Sequence, residues 1–164
     1  MKLNLCCGDD IRDGYINIDI RRTKPNVLVI DLEKELLSVF PSNSAEEIIA
    51  RDCIEHISWR RVEDLLRDIH RVLKCNGSIY IQVPDLEAIA KKAILNPDSC
   101  FGDLCGWKVI SYWVYGAQDH PHNFHKAGFT IPTLRKLLES IGFGIIDIRN
   151  DGGSNLVCWA FKKC

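Results

Sequence analysis

Three residues able to serve a ligand lie near the start of the chain, and each follows a short apolar run. They are Gly8, Asp19 and Asp31. In open α/β sheets, ligands bind outside the carboxyl ends of the parallel strands, and a carboxylate after the second strand can accept hydrogen bonds from both hydroxyls of a ribose. Either aspartate alone would more often be a turn or cap residue. Together they predict a nucleoside-binding crevice.

Glu55 and His56 follow the fourth strand-like run, where the rim of such a crevice should lie. Side chains at that place could face a substrate. A carboxylate near a helix N-terminus is also favourable, so Glu55 could instead cap the helix that we predict from Ser58. The sequence supports these two interpretations equally.

Three histidines, His120, His122 and His125, lie close together after Asp119. Metal binding is one interpretation, but the spacing shows no convincing fourth ligand, and we predict no metal site. Because histidine titrates near neutral pH, one of them could accept a proton from a hydroxyl or amine. The alternative is a loop whose polar side chains bond its own backbone, and for His120 the sequence supports this interpretation at least as well.

The elements that must position these residues alternate between strands and helices. Apolar residues three or four apart predict a helix from Ser58 to Asn76, closed by Gly77 in a left-handed conformation. Further helices are predicted over residues 33–39, 85–95 and 130–141, the last capped by Thr130. Strands are predicted at the start of the chain and over residues 15–18, 27–30, 47–50, 78–83, 144–148 and 156–161. This order predicts an α/β fold whose sheet is mainly parallel, with an antiparallel hairpin at its C-terminal end.

Residues 96–127 interrupt this alternation. They are rich in aromatic residues and histidines, and a connection of this length inside a compact domain is usually functional or disordered. The aromatic content argues against disorder. We therefore predict an insertion that covers a substrate, with ordinary packing as the alternative for its aromatic side chains.

Composition restricts the class of protein. A length of 164 residues predicts one domain over residues 1–164. The formal net charge of -1 argues against nucleic acid as a partner. No apolar run approaches the ~18 residues that span a bilayer, and we see no signal-peptide core, so we predict a cytoplasmic protein without membrane contact. The sequence does not indicate an oligomeric state.

The chain contains eight cysteines. Because a cytosolic compartment keeps thiols reduced, we predict free thiols and no disulfide framework. No C-x-x-C pair is present, which argues against a zinc ribbon. We expect Cys53, Cys75 and Cys158 to be small buried apolar residues.

Taken in order, these segments resemble the small class I S-adenosylmethionine (SAM)-dependent methyltransferases. The likeness runs through residues 3–8, 14–19, 55–57, 71–77, 83–86, 123–126 and 142–143. It implies a three-layer, doubly wound sheet of seven strands whose last strand is antiparallel. It also implies SAM as cofactor and methyl transfer to a small-molecule or saccharide-like acceptor.

The resemblance also implies roles for single residues. Asp19 would bond the ribose hydroxyls, and Asp31 with Leu32 would border the adenine. The turn from Cys6 to Gly8 would pass the methionine end, and Asp52 with Cys53 would face the sulfonium. The predicted cofactor-binding residues are Asn4, Cys6, Gly8, Asp19, Asp31, Leu32, Asp52 and Cys53. The predicted catalytic residues are His56 and His125, the second because it stands in the family-like run of residues 123–126.

Two features depart from the family pattern. Cys6 occupies a position where the family usually has glycine, and its side chain could crowd the cofactor. The connection from Cys6 to Tyr15 is too short for a crossover helix, so we predict that this helix is short or absent. The first departure raises an alternative function, a methyltransferase fold that has lost catalysis and serves as a binding protein. An NAD-dependent oxidoreductase is disfavoured, since no G-x-G-x-x-G turn follows the first strand.

Overall fold

The computed structural model describes residues 1–164, with nine β-strands and four α-helices. Seven strands form the main sheet: β1 (Lys2–Leu5), β2 (Ile16–Asp19), β3 (Val27–Val29), β4 (Ala45–Arg51), β5 (Leu73–Pro84), β8 (Phe143–Asn150) and β9 (Asn155–Lys162). Their spatial order is β3-β2-β1-β4-β5-β9-β8. Strands β1 to β5 pair in parallel, whereas β9 runs antiparallel to both β5 and β8. This topology confirms the predicted seven-stranded fold.

The helices are α1 (Val62–Val72), α2 (Leu86–Leu95), α3 (Trp107–Tyr115) and α4 (Ile131–Ile141). The side chain of Asp85 caps α2 by accepting from the backbone of Glu87 and Ala88, and Thr130 caps α4 as predicted. None of the helices is long and apolar enough to cross a membrane. The predicted cytoplasmic location stays a prediction.

No helix connects β1 to β2, which confirms the prediction for this crossover. Two buried asparagines, neighbours across these strands, hold the connecting loop in place. Asn4 donates from its amide to Asp10 O (2.7 Å) and to Asn17 Oδ1 (3.0 Å). Asn17 accepts from Arg12 N (3.0 Å) through the same oxygen and donates to Arg12 O (3.1 Å). Side-chain amides thus replace the hydrogen bonds that a helix would provide.

Two predicted helices differ from the structure. Residues 33–39 form consecutive turns, because Leu36 takes a left-handed φ of 55° and Leu37 N donates to Asp68 Oδ2 (2.7 Å) in place of a helical carbonyl. The next helix, α1, begins after Arg61 and not at Ser58.

The end of α1 also differs from the prediction, because the chain passes directly into β5 at Leu73. Asn76 and not Gly77 adopts the left-handed conformation. Glycine is needed at position 77 because an added Cβ would lie 2.9 Å from Lys74 O and 3.1 Å from Ala45 O.

The prediction of free thiols is wrong for six of the eight cysteines. The structure pairs Cys6 with Cys53, Cys75 with Cys164, and Cys100 with Cys105. The first two pairs are 47 and 89 residues apart in the chain, with Cα–Cα distances of 5.3 and 5.1 Å, within the usual disulfide range. Sequence spacing does not show such proximity, because the sheet creates it. Cys53 and Cys158 are buried as predicted, whereas Cys75 is exposed, and Cys7 and Cys158 are free.

The insertion at residues 96–127 contains a short ribbon of β6 (Cys100–Phe101) and β7 (Leu104–Cys105), followed by α3 and a loop. Helix α3 packs on α2 through a small cluster of Ile89, Val109 and Trp113, separate from the main core. Trp107 and Tyr115 are exposed. Only part of the aromatic content therefore serves packing.

Candidate functional site

A crevice of about 210 Å³ lies at the carboxyl ends of the first strands. Seven of the predicted site residues line it: Cys6, Gly8, Asp19, Asp31, Leu32, Asp52 and His56. The other three lie elsewhere. Asn4 is buried in the loop contacts described above, Cys53 is fully buried, and His125 lines a neighbouring cavity. The sheet thus brings together residues from four strand ends.

Asp19 is held in one orientation by the backbone. Its side chain is nearly buried, and its two oxygens accept from Gly8 N (2.9 Å) and Arg21 N (2.9 Å). Each carboxylate oxygen can accept more than one hydrogen bond, so acceptor capacity remains for a diol. In this orientation, the carboxylate can accept hydrogen bonds from both ribose hydroxyls.

Asp31 also lines the crevice, next in sequence to the buried Leu32. Burial acts to raise the pKa of Asp31, but hydrogen bonds from Lys34 Nζ (2.9 Å) and Glu33 N (3.1 Å) outweigh it, and the pKa is below its ordinary value. The carboxylate is therefore ionised at neutral pH. An apolar side chain next to a charged acceptor suits a heteroaromatic base with an exocyclic amine.

The ends of β1 and β4 carry unusual backbone conformations. Cys6 and Asp52 have φ values of 50° and 48°, a region that non-glycine residues rarely occupy and that costs about 1–3 kcal/mol. The Cys6–Cys53 disulfide joins these two strand ends. Asp52 accepts from Gln82 Nε2 (3.0 Å), and burial raises its pKa. These residues form the border between the crevice and its neighbour.

The second cavity has a volume of about 300 Å³. It shares Asp52, His56 and Asn123 with the crevice, so the two spaces adjoin. The insertion contributes Phe101, Tyr112, Trp113 and His125 to its lining, and the main sheet contributes Gln82 and Asn155. The segment from 96 to 127 therefore covers this cavity.

His56 and His125 lie edge to face in the second cavity, with ring centroids 5.0 Å apart. Nδ1 of His56 bonds Phe124 O (3.2 Å), and Nδ1 of His125 bonds Trp113 O (3.1 Å). A carbonyl oxygen only accepts, so Nδ1 carries the proton and Nε2 keeps its lone pair. Burial, and secondarily the nearby His125, lowers the pKa of His56 to about 4, and burial lowers the pKa of His125. Both rings are neutral at pH 7.

Glu55 adjoins the two histidines and is almost completely buried. It belongs to a 3₁₀ turn over Ile54–His56, separate from α1, and caps no helix. Its Oε2 has no hydrogen-bond partner. Burial, and secondarily Asp52, raises the pKa of Glu55 well above its ordinary value. A buried polar atom without a partner is rare and needs an explanation.

Backbone contacts bring His125 to this turn. The carbonyl of Glu55 accepts from Lys126 N (2.7 Å) and Ala127 N (3.1 Å). The chain can return to this place only because Gly116, at φ 81°, has no side chain, since an added Cβ would lie 2.4 Å from Asn123 O. The sequence indicates each histidine as a candidate but not their proximity to Glu55. The contact that joins the two segments links His56 to Phe124, which lies 68 residues later in the chain.

His120 and His122 line the crevice and not the second cavity. His120 Nδ1 accepts from His122 N (3.2 Å). This contact agrees with the loop role predicted for His120.

The comparisons with known proteins agree with this geometry. A family model described as "Methyltransferase domain" matches residues 5–81. In this segment and in its fold, the chain is similar to the SAM-dependent methyltransferases. A search among curated proteins gives no significant match.

Solved structures of the same fold include the following three. A SAM-dependent methyltransferase from Mesorhizobium loti is 15% identical, with a TM-score of 0.66 over 98% of this chain and 90% of that chain. The 1,6-didemethyltoxoflavin-N1-methyltransferase of Burkholderia thailandensis, with bound S-adenosylhomocysteine, is 15% identical. Its TM-score is 0.64, over 99% of this chain and 71% of that chain. The [4+2]-cyclase SpnF is 13% identical, with a TM-score of 0.62 over 99% of this chain and 75% of that chain.

The donor set of the crevice suits the family's cofactor. The anchored Asp19 can accept from a diol, and nothing lies within 4 Å of the place where a Cβ on Gly8 would stand, so the turn is open. Cys6 remains the departure from the family pattern, but its sulfur is joined to Cys53 and so is not a free thiol beside the ligand. The residues present fit S-adenosylmethionine.

Proposed function

We propose that the protein is an enzyme that transfers the methyl group of SAM to a hydroxyl of a small, saccharide-like molecule. The observation that carries this proposal is the junction of the two cavities. A cofactor crevice with an anchored ribose acceptor meets a second cavity at Asp52 and His56. A methyl donor and a methyl acceptor need such adjoining sites, because the transfer is an in-line displacement between them.

In the crevice, Asp19 accepts from the ribose hydroxyls, while Asp31 and Leu32 border the adenine. The turn from Cys6 to Gly8 borders the methionine end, and Asp52 stands at the passage to the second cavity. Bound SAM supplies a methyl group on a positively charged sulfur. Because that group is already activated, the protein's tasks are to position the acceptor, exclude water and receive a proton.

The lining of the second cavity suits an oxygen-rich acceptor. The buried Trp113 Nε1 is a hydrogen-bond donor without a partner, and Gln82 and Asn155 add amide groups. Tyr112 and Phe101 stack on each other with centroids 6.0 Å apart, at the same wall. Aromatic surfaces with a few polar groups are typical of small-molecule sites. The Nε2 lone pairs of His56 and His125 can receive the hydroxyl proton.

The alternative is a binding protein that has lost catalysis. Cys6 in the glycine position favours it, and the cyclase among the similar structures is a protein of this fold named for another reaction. Two measurements separate the functions. Calorimetric titration with SAM tests the crevice, and formation of S-adenosylhomocysteine with a panel of small hydroxyl and amine acceptors tests transfer.

Binding together with acceptor-dependent turnover is the result we expect. Binding without turnover on any acceptor of the panel would favour the alternative. Absence of binding would contradict both functions.

A further inference from the structure

Glu55, His56 and His125 form a cluster of potential metal ligands. One ligand atom from each residue lies within 4.8 Å of the others. Two imidazoles and one carboxylate are a common three-residue ligand set for divalent first-row transition metals, and they leave coordination positions open. The cluster stands in the lining of the second cavity, so the open positions would face that cavity.

The two rings are already oriented as metal ligands are. Histidine that binds a metal usually donates its other ring N–H to a carboxylate or a backbone carbonyl. Here Nδ1 of His56 bonds Phe124 O, and Nδ1 of His125 bonds Trp113 O. Nε2 is therefore the free nitrogen on each ring.

The buried carboxylate supplies an independent observation. Glu55 is 1% exposed, and its Oε2 has no partner among the atoms of the chain. Lys126, whose backbone N–H bonds the Glu55 carbonyl, pairs its ammonium group with Glu33 (2.6 Å) and not with Glu55. A cation between Glu55 and the two Nε2 atoms would satisfy all three groups.

We propose that Glu55, His56 and His125 bind one divalent transition-metal ion, such as Mn²⁺, Co²⁺ or Zn²⁺. Ligand atoms about 2.1 Å from one tetrahedral ion lie about 3.4 Å apart, so small side-chain movements close the cluster. The binding of the ion itself does not depend on the proposed function. Its use does: resting on that function, the ion would take the oxygen of the methyl acceptor at an open position and lower the pKa of its hydroxyl. With the ion bound, both Nε2 lone pairs are ligands, so the hydroxyl proton would pass to solvent and not to the histidines.

This proposal differs from the expectation from the sequence, which takes His120, His122 and His125 together and predicts no metal site. The structure places the first two beside the crevice and only the third beside Glu55.

The test titrates the full chain with Co²⁺ alone, after treatment with a chelator and dialysis. Binding of one ion, followed by visible absorption without thiolate charge-transfer bands, is the result we expect for nitrogen and oxygen ligands. Glu55→Gln, His56→Ala and His125→Ala should each weaken binding at least tenfold. His122→Ala is the matched control and should bind Co²⁺ like the parent protein.

The same titration separates the two proposals. Asp19→Ala should bind Co²⁺ normally while its affinity for SAM falls. SAM binding with no Co²⁺ binding would overturn the metal site and leave the methyltransferase proposal standing. Equal Co²⁺ affinity in the parent, Glu55→Gln and His125→Ala proteins would also overturn it. Glu55→Gln keeps the shape of the side chain, so a melting temperature close to the parent's shows that its loss of Co²⁺ is not a loss of fold.

Discussion

The crevice and the second cavity adjoin each other but are built differently. The crevice takes most of its polar groups from strand ends within the first part of the chain, and the backbone satisfies its key carboxylate, Asp19. The second cavity combines a turn after β4 with a distant loop, and it leaves the Oε2 of Glu55 unpaired. A carboxylate whose hydrogen bonds are satisfied within the chain needs no further partner. A buried carboxylate oxygen without a hydrogen-bond partner indicates a missing ligand. We therefore propose that the cofactor binds in the crevice, and that the acceptor and a metal ion bind in the second cavity.

The largest effect should come from the second cavity. His125→Ala should lower the rate of methyl transfer by about 100-fold or more, because it removes a proton acceptor or, when the ion is bound, one of its ligands. The dissociation constant of SAM should change little, because His125 does not line the crevice. Single-turnover rates and calorimetry measure the two quantities. A parallel loss of cofactor binding would show that the spaces do not have separate roles.

The corresponding substitution in the crevice is at Asp19. Asp19→Ala should weaken SAM binding by about 1.5–3 kcal/mol, since it removes a charged group that accepts two hydroxyl hydrogen bonds. Asp13→Ala is the matched control, because Asp13 is exposed and lies outside the crevice. An unchanged affinity in Asp19→Ala would remove this residue from the cofactor site.

A third change tests the loop that carries His125. Gly116→Ala and Gly152→Ala both place a side chain at a left-handed φ, 81° and 91° respectively, but only the first meets atoms within 4 Å. We expect Gly116→Ala to lower the free energy of unfolding by about 1–3 kcal/mol more than Gly152→Ala, the usual cost of overpacking. Chemical denaturation measures the difference. Equal losses would mean that the loop around Asn123 moves aside freely.

The smallest effect on either ligand should come from Cys6→Gly. Removing the side chain restores the family's glycine, so the SAM affinity should stay equal or improve. The Cys6–Cys53 disulfide is lost, and the melting temperature should fall, since such a link typically contributes about 2–4 kcal/mol. A large loss of affinity would show that the link between the ends of β1 and β4 shapes the crevice.

The crevice could be predicted from sequence because its information is local. Asp19 and Asp31 directly follow their strands, and parallel strands end at one edge of the sheet. The apolar face of α1 could also be predicted, because its residues recur every three or four positions; Leu65, Leu66 and Ile69 are fully buried. Asn4 was misleading as a cofactor candidate, because nothing local shows that its amide holds the β1–β2 loop.

The second cavity could not be predicted as a whole. His56 and His125 were identified as candidates, but their meeting with Glu55 depends on the return of the chain at Gly116 and on two bonds to the Glu55 carbonyl. The disulfide partners share this property, since Cys6 and Cys53 become neighbours only through the pairing of β1 with β4. Contacts of this kind are set by the tertiary fold and leave no periodic signal.

The most direct measurement for this division of roles is a crystal structure of the protein with S-adenosylhomocysteine. We predict ribose hydroxyls within hydrogen-bond distance of Asp19, and adenine beside Asp31 and Leu32. The sulfur should face Asp52 and the second cavity. Ribose bonded away from Asp19, or a sulfur that faces away from the second cavity, would contradict it.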